Sequence, residues 1–296
     1  MFTNDLTWTT DINKVYFKTS SIVELMKYYK HVLSRNALEI IYKSCVLSIL
    51  NYGCIIYSLT TVANLNNLES VQYKAAIATV GAMKRTSREK VYEILGWFSL
   101  KAHFRILRLL TFSKIMKGFT PGYLSVHLHI RQPNERYNLR SNQNTNVETM
   151  RNTSKDFFVV VTEEWNGLVL KDPRDLRMKV ANTREMLKNE VTPTEKFSKR
   201  LKFAIRREEI IFMRIKSNFP ALNYYVYKRK CVDPPLCSCE GVKKDTVHYF
   251  FNCSLYNVER NLLKQKLNFL NEITLDIFLL DDLQLQCIVL MRSACI

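Results

Sequence analysis

Acidic residues are scarce in this chain, and so are the motifs on which most catalytic sites are built. Only 27 Asp+Glu stand against 44 Lys+Arg in 296 residues, a formal net charge of +17. The seven glycines are not gathered into a loop that could cradle phosphate. No Ser, His and Asp follow a hydrolase order, and no paired-carboxylate motif stands out. Long apolar runs are missing too. The longest, Cys45 to Leu59, is interrupted by Ser48, Asn51 and Ser58 and falls short of the roughly 20 residues that cross a bilayer. It reads as buried helix, and no membrane partner is expected. The opening MFTNDLTWTT has neither a basic start nor an apolar run, so no secretory leader is expected. The eight Cys therefore point to a reducing compartment, nuclear or cytoplasmic, where Cys combined with His binds metal more readily than it forms disulfides.

Hydrophobic residues make up 47% of the chain, enough for real cores. The positive charge is concentrated in two zones. Lys84 to Arg140 holds 12 basic and 3 acidic residues, and Arg177 to Lys230 holds 15 and 5. Such zones suit a phosphate backbone, because each Lys or Arg that meets a phosphate releases condensed counterion. RNA or DNA is the expected partner, and a solvated basic face is the competing explanation.

Periodicity predicts a mainly α fold. A first helix is capped by Thr10 or Asp11, with Ile12, Val15, Ile22 and Leu25 among its apolar positions. In the second, capped by Ser34 or Asn36, Leu38, Ile41, Cys45, Ile49 and Tyr52 share a face, and Gly53 offers close approach to another helix. A third starts near Asn66 and breaks at Gly81, and helix follows from Ser87 to Met116. There Leu100, Phe104, Leu107, Leu110 and Ile115 want a core, while Lys101, Arg105, Arg108 and Lys114 fall largely on another side and want an anion. Gly118 and Pro121 end that helix.

The segment 131–155 is polar and Asn-rich and reads as a linker after a helical domain over 1–130. Within it Arg136, Tyr137 and Arg140 combine phosphate contact with base stacking. A basic helical connector spans 156–230. In it DFFVVVTEEWNGL suits strand by its Val run and helix by its setting, and helix is favoured. Arg200, Lys202, Arg206 and Arg207 form the connector's densest basic group.

The ligand-like cluster is Cys237, Cys239, His248 and Cys253, spaced C-x-C-x8-H-x4-C within 231–260 and followed by a helical tail over 261–296. Zinc binds thiolate and imidazole tetrahedrally. The C-x-C pair is tighter than usual and Cys231 is a spare ligand, so buried free thiols are the competing reading. Asp281 and Asp282 imitate a polymerase metal pair, but no Tyr and no upstream Asp accompany them, and they are read as a decoy.

Several motifs in this order resemble the reverse transcriptases of non-LTR (LINE-type) retrotransposons. They are Leu6-Thr7-Trp8, the Asn-Tyr-Gly-Cys of Asn51 to Cys54, Arg136 and Arg140, Trp165-Asn166-x-Leu168, and the Cys/His tail with Thr246, Tyr256 and Arg260. Tyr57 stands where relatives usually place Trp, and Val169 replaces a Pro. The resemblance implies a thumb-like helical bundle that begins just after the catalytic palm, followed by a connector and a structural zinc knuckle. It further implies nucleic-acid binding without polymerisation, with palm and fingers supplied elsewhere. A host-adopted nucleic-acid-binding protein and a non-functional relic are the alternatives.

Overall fold

The computed structural model describes residues 8–126, 128–130, 147–149, 157–166, 206–217, 222–228, 230, 235–239 and 243–261. Among these the fold is mainly helical, with a Cys/His cluster near the C-terminus. The chain forms two compact units. The first is made of 1–19, 47–70 and 98–193, and the second of 20–46, 71–97 and 194–296.

Helix α1 runs over Thr9–Tyr29. Its buried stripe is Ile12, Thr19, Val23 and Met26. Leu25, expected among the apolar positions, is 61% exposed, because at 3.6 residues per turn it lies about 100° around the helix from Met26 and about 160° from Val23. Helix α2 (Arg35–Ile41) starts at Ser34, whose hydroxyl accepts from the Ala37 N–H at 3.2 Å. It continues as a π-helical turn, Tyr42–Leu47, into α3 (Ser48–Asn51). The wider turn corrects the expected face. Buried residues recur every fourth position at Leu38, Tyr42, Val46, Leu50 and Cys54, while Cys45 is exposed and Tyr52 is 85% exposed. A period nearer four than 3.6 is what π geometry imposes. Gly53 is also corrected: a Cβ there would touch only Tyr57, at 4.0 Å. Its φ of +71° shows that its task is the left-handed step into α4 (Cys54–Tyr57).

Helix α5 (Val62–Val80) ends at Gly81, as expected. The stretch 87–116 is two helices. Helix α6 (Arg88–Leu95) closes with Gly96 at φ +62°, whose N–H reaches the Glu93 carbonyl while that of Trp97 reaches Tyr92. The Ser99 hydroxyl then caps α7 (Leu100–Met116) through the Ala102 N–H.

In the first unit, α7 packs against α9 (Phe157–Asn166) through Ile106, Leu109, Phe112, Val161 and Trp165. That burial keeps the Val run helical, and the favoured assignment of helix there holds. Between them lie α8 (Gly122–Ser125) and an antiparallel pair, β1 (Leu128–Ile130) with β2 (Val147–Thr149). Glu69 caps α7 from α5, accepting the Leu100 N–H at 2.7 Å.

In the second unit Tyr42 stacks on Trp97 at 3.8 Å and donates to Gln72 at 2.9 Å. Helix α10 (Arg206–Lys216) lies over the end of α5, with Ile210 so close to Gly81 that an added Cβ would meet its Cγ1 at 2.5 Å. The close approach expected of Gly53 is thus made at Gly81. Helix α11 (Asn223–Tyr227) leads to the Cys/His segment. Among the described residues no helix is long and apolar enough to cross a membrane.

Gly81 has φ +74° and no room, whereas Gly118 has φ +69° and open space around it. Gly118→Ala therefore costs about 1 kcal/mol, the backbone strain alone. Gly81→Ala adds overpacking and costs about 3 kcal/mol. Urea unfolding midpoints of the two variants measure the difference, and equal losses would contradict the packing of α10 on Gly81.

Candidate metal centre

The four residues picked out by their spacing converge. Their ligand atoms all lie within 4.8 Å of one another, so the cluster could hold a metal ion. Cys237 Sγ is 3.6 Å from Cys253 Sγ, far beyond the roughly 2.0 Å of a disulfide. Cys239 Sγ is 3.2 Å from His248 Nε2. Cys237, His248 and Cys253 are buried, and Cys239 is half-buried. Burial pushes the Cys237 thiol up, but hydrogen bonds from Cys239, His248 and Cys253 outweigh it and bring it down to about 7. Burial pushes the Cys253 thiol up to about 11, with the neighbouring sulfurs adding to the rise. One thiol is thus ready to lose its proton, and a bound cation would draw protons from the others.

Local chemistry explains how so short a segment forms the cluster. A bridge between Leu236 and Lys243 folds the C-x-C loop back on itself, and the Lys244 N–H donates to the Pro235 carbonyl at 3.0 Å. Asp245 begins the ligand helix: its carboxylate accepts the His248 N–H at 2.8 Å and its carbonyl accepts from Tyr249 at 3.0 Å. A π-helical turn, His248–Asn252, delivers the imidazole, and the Cys253 N–H returns to the His248 carbonyl at 2.7 Å. Arg260 locks the far side by donating to the Phe250 carbonyl at 2.9 Å and the Cys253 carbonyl at 2.6 Å. Thr246 meets the Tyr225 hydroxyl at 2.8 Å, and Tyr256 packs edge-on against Tyr249 at 4.7 Å.

Asp245 was missed by the sequence reading. Its signal was an Asp three residues ahead of His248, the spacing of a helix cap.

The cationic candidates divide. Lys101, Lys114 and Arg207 are exposed and Arg105 is half-buried, all on helix surfaces. Arg108 is buried and corrects its assignment to the anion-seeking side. It pairs with Glu164 at 2.5 Å and donates to the Ser58 hydroxyl at 2.9 Å. Arg206 is corrected likewise: it pairs with Glu209 at 2.5 Å and donates to the carbonyls of Lys30 and Thr79. Both charges sit where helix packing needs a long donor. Arg136, Tyr137, Arg140, Arg200 and Lys202 lie outside the described residues, as do Cys231, Asp281 and Asp282. In the first unit, burial pushes the Cys54 thiol up to about 11, which leaves it a poor nucleophile.

No family model, curated protein or solved structure matches the chain.

Two outcomes follow from this geometry. Glu164→Ala strands the Arg108 guanidinium and costs about 3 kcal/mol in denaturant unfolding, while Lys101→Ala costs under about 0.5. Asp245→Ala, which removes an orienting contact and no ligand, weakens metal affinity about tenfold in a chelator competition; undiminished affinity would remove Asp245 from the centre.

Proposed function

We propose that this chain is a nucleic-acid-binding piece of a LINE-type reverse transcriptase protein, comprising thumb, connector and a structural zinc knuckle, without the palm. It binds RNA or DNA and does not polymerise by itself, and it works with palm and fingers supplied elsewhere, in nucleus or cytoplasm. The observation that carries the reading is the gathering of Cys237, Cys239, His248 and Cys253 by a segment that also uses Thr246, Tyr256 and Arg260 locally. Those are the residues on which the resemblance of the tail rests.

Zinc suits this donor set. With Zn–S bonds near 2.3 Å and Zn–N near 2.0 Å, a tetrahedron has sulfur–sulfur edges of about 3.8 Å and sulfur–nitrogen edges of about 3.6 Å. The separations of 3.6 and 3.2 Å are close to these. Four protein ligands leave no open position for a substrate, so the ion's role is to hold the segment together. Exposed Lys101, Lys114 and Arg207 supply charge for phosphate.

A second reading, a relic lacking its partner surface, draws on apolar side chains left in solvent, among them Tyr52 at 85% and Phe17 at 68% exposure. One experiment separates the two. RNA and DNA binding by the purified chain is measured over a salt series, with metal content determined on the same sample. The proposal expects affinity that falls steeply with salt and about one zinc per chain, lost in Cys237→Ser/Cys239→Ser. A metal-free, aggregating chain without salt-sensitive binding would support the relic instead.

A further inference from the structure

Three pieces of the second unit bring cations to the C-terminal end of α1. Lys27, Lys30 and His31 come from the helix end and the turn after it, Lys84 from the turn after α5, and Arg206 and Arg214 from α10. Hydrogen bonds enforce the juxtaposition. Arg206 Nε donates to the Lys30 carbonyl at 3.1 Å, and Arg214 Nε to the Gly81 carbonyl at 2.9 Å. Ile210 seated on Gly81 leaves α10 little freedom to withdraw.

These groups feel one another. Burial draws the Lys30 ammonium below its usual range, and Arg214, Lys84 and Lys27 draw it further. His31 is lowered by burial and then by Lys30, Arg214 and Arg206. Among the described residues, Glu24 pairs with Lys27 at 2.6 Å and Glu209 with Arg206 at 2.5 Å. A fold that assembles like charges against their repulsion makes a position where an anion is favoured. In the same last turn of α1, Tyr28 is 78% exposed and pairs edge-to-face with Tyr29 at 4.9 Å. A ring so exposed contributes little to the core and leaves most of its surface to a planar ligand.

We propose that the C-terminal end of α1 is a binding site for single-stranded nucleic acid, with Lys30, Lys84 and Arg214 meeting phosphates and Tyr28 stacking on a base. It rests on the nucleic-acid reading above and joins Lys30 and Tyr28, which precede both charge zones, to Lys84 of the first zone and Arg214 of the second. The cations would serve a duplex equally well; the exposed tyrosine ring is what favours a single strand, whose bases are free to stack.

The test measures binding of the full chain to an oligouridylate, to a duplex DNA of the same length and to phosphatidylserine vesicles, each over a salt series. For the oligouridylate, Lys30→Gln/Lys84→Gln loses two phosphate contacts, and the slope of log affinity against log salt falls by about 1.4. Tyr28→Ala weakens binding about tenfold with the slope unchanged. Lys84→Glu, a change at an exposed position, weakens binding further than Lys84→Gln and guards against loss of folding in the double variant. If the wild type binds but the Lys30/Lys84 variants keep its affinity and slope, this site is wrong and the broader reading stands. No salt-dependent binding by the wild type overturns both. Binding to vesicles and not to oligonucleotides, lost in the same variants, would make the patch a lipid site and overturn the proposal, as would a duplex preferred over the single strand.

Discussion

The ends of the helices set the terms for this fold. Each C-terminal end leaves carbonyls without an intrahelical donor, and they must be satisfied when the end is packed. Arginine supplies them repeatedly here. Arg35 reaches the Ile94 carbonyl at the end of α6, Arg206 those of Lys30 and Thr79 after α1 and within the last turn of α5, and Arg214 that of Gly81. Arg260 does the same for Phe250 and Cys253 at the Cys/His cluster. A guanidinium suits the task because it carries five donors in a planar fork and keeps its charge when partly buried, while the helix dipole favours a cation at that end.

This divides the positive charge into two kinds. Part of the +17 belongs to packing: Arg35 and Arg108 are buried, and Arg206 is engaged on several sides. Others among the described residues, such as Lys101 and Lys114, are exposed on helix surfaces. Net charge counts both kinds alike, so the basic zones overstate the exposed positive charge, as Arg108 and Arg206 make plain. The same arginines also gather lysines, since α10, held by Arg206 and Arg214, closes the cationic end of α1.

Most helices and the Cys/His cluster were legible in the sequence because they depend on local spacing and caps. Gly81 and Gly118 ended their helices where expected, Ser34 capped α2, and the C-x-C-x8-H-x4-C pattern converged. What was illegible depended on departures from the 3.6 period or on remote partners. The π-helical turn at Tyr42–Leu47 rotated the buried face from Cys45 and Tyr52 to Val46 and Leu50. Gly96 split one amphipathic run into two helices, because periodicity registers a glycine's left-handed step only weakly. Arg108 looked like a surface cation until Glu164, 56 residues away, provided its partner.

The most direct measurement is lysine footprinting, in which the purified chain is acetylated briefly with and without saturating oligouridylate and the sites are mapped by mass spectrometry. The account predicts protection centred on Lys30 and Lys84, with Lys14 on the first turns of α1 unchanged. Equal reactivity of every lysine in both samples, at a concentration where the RNA is demonstrably bound or where no binding is found at all, would contradict it.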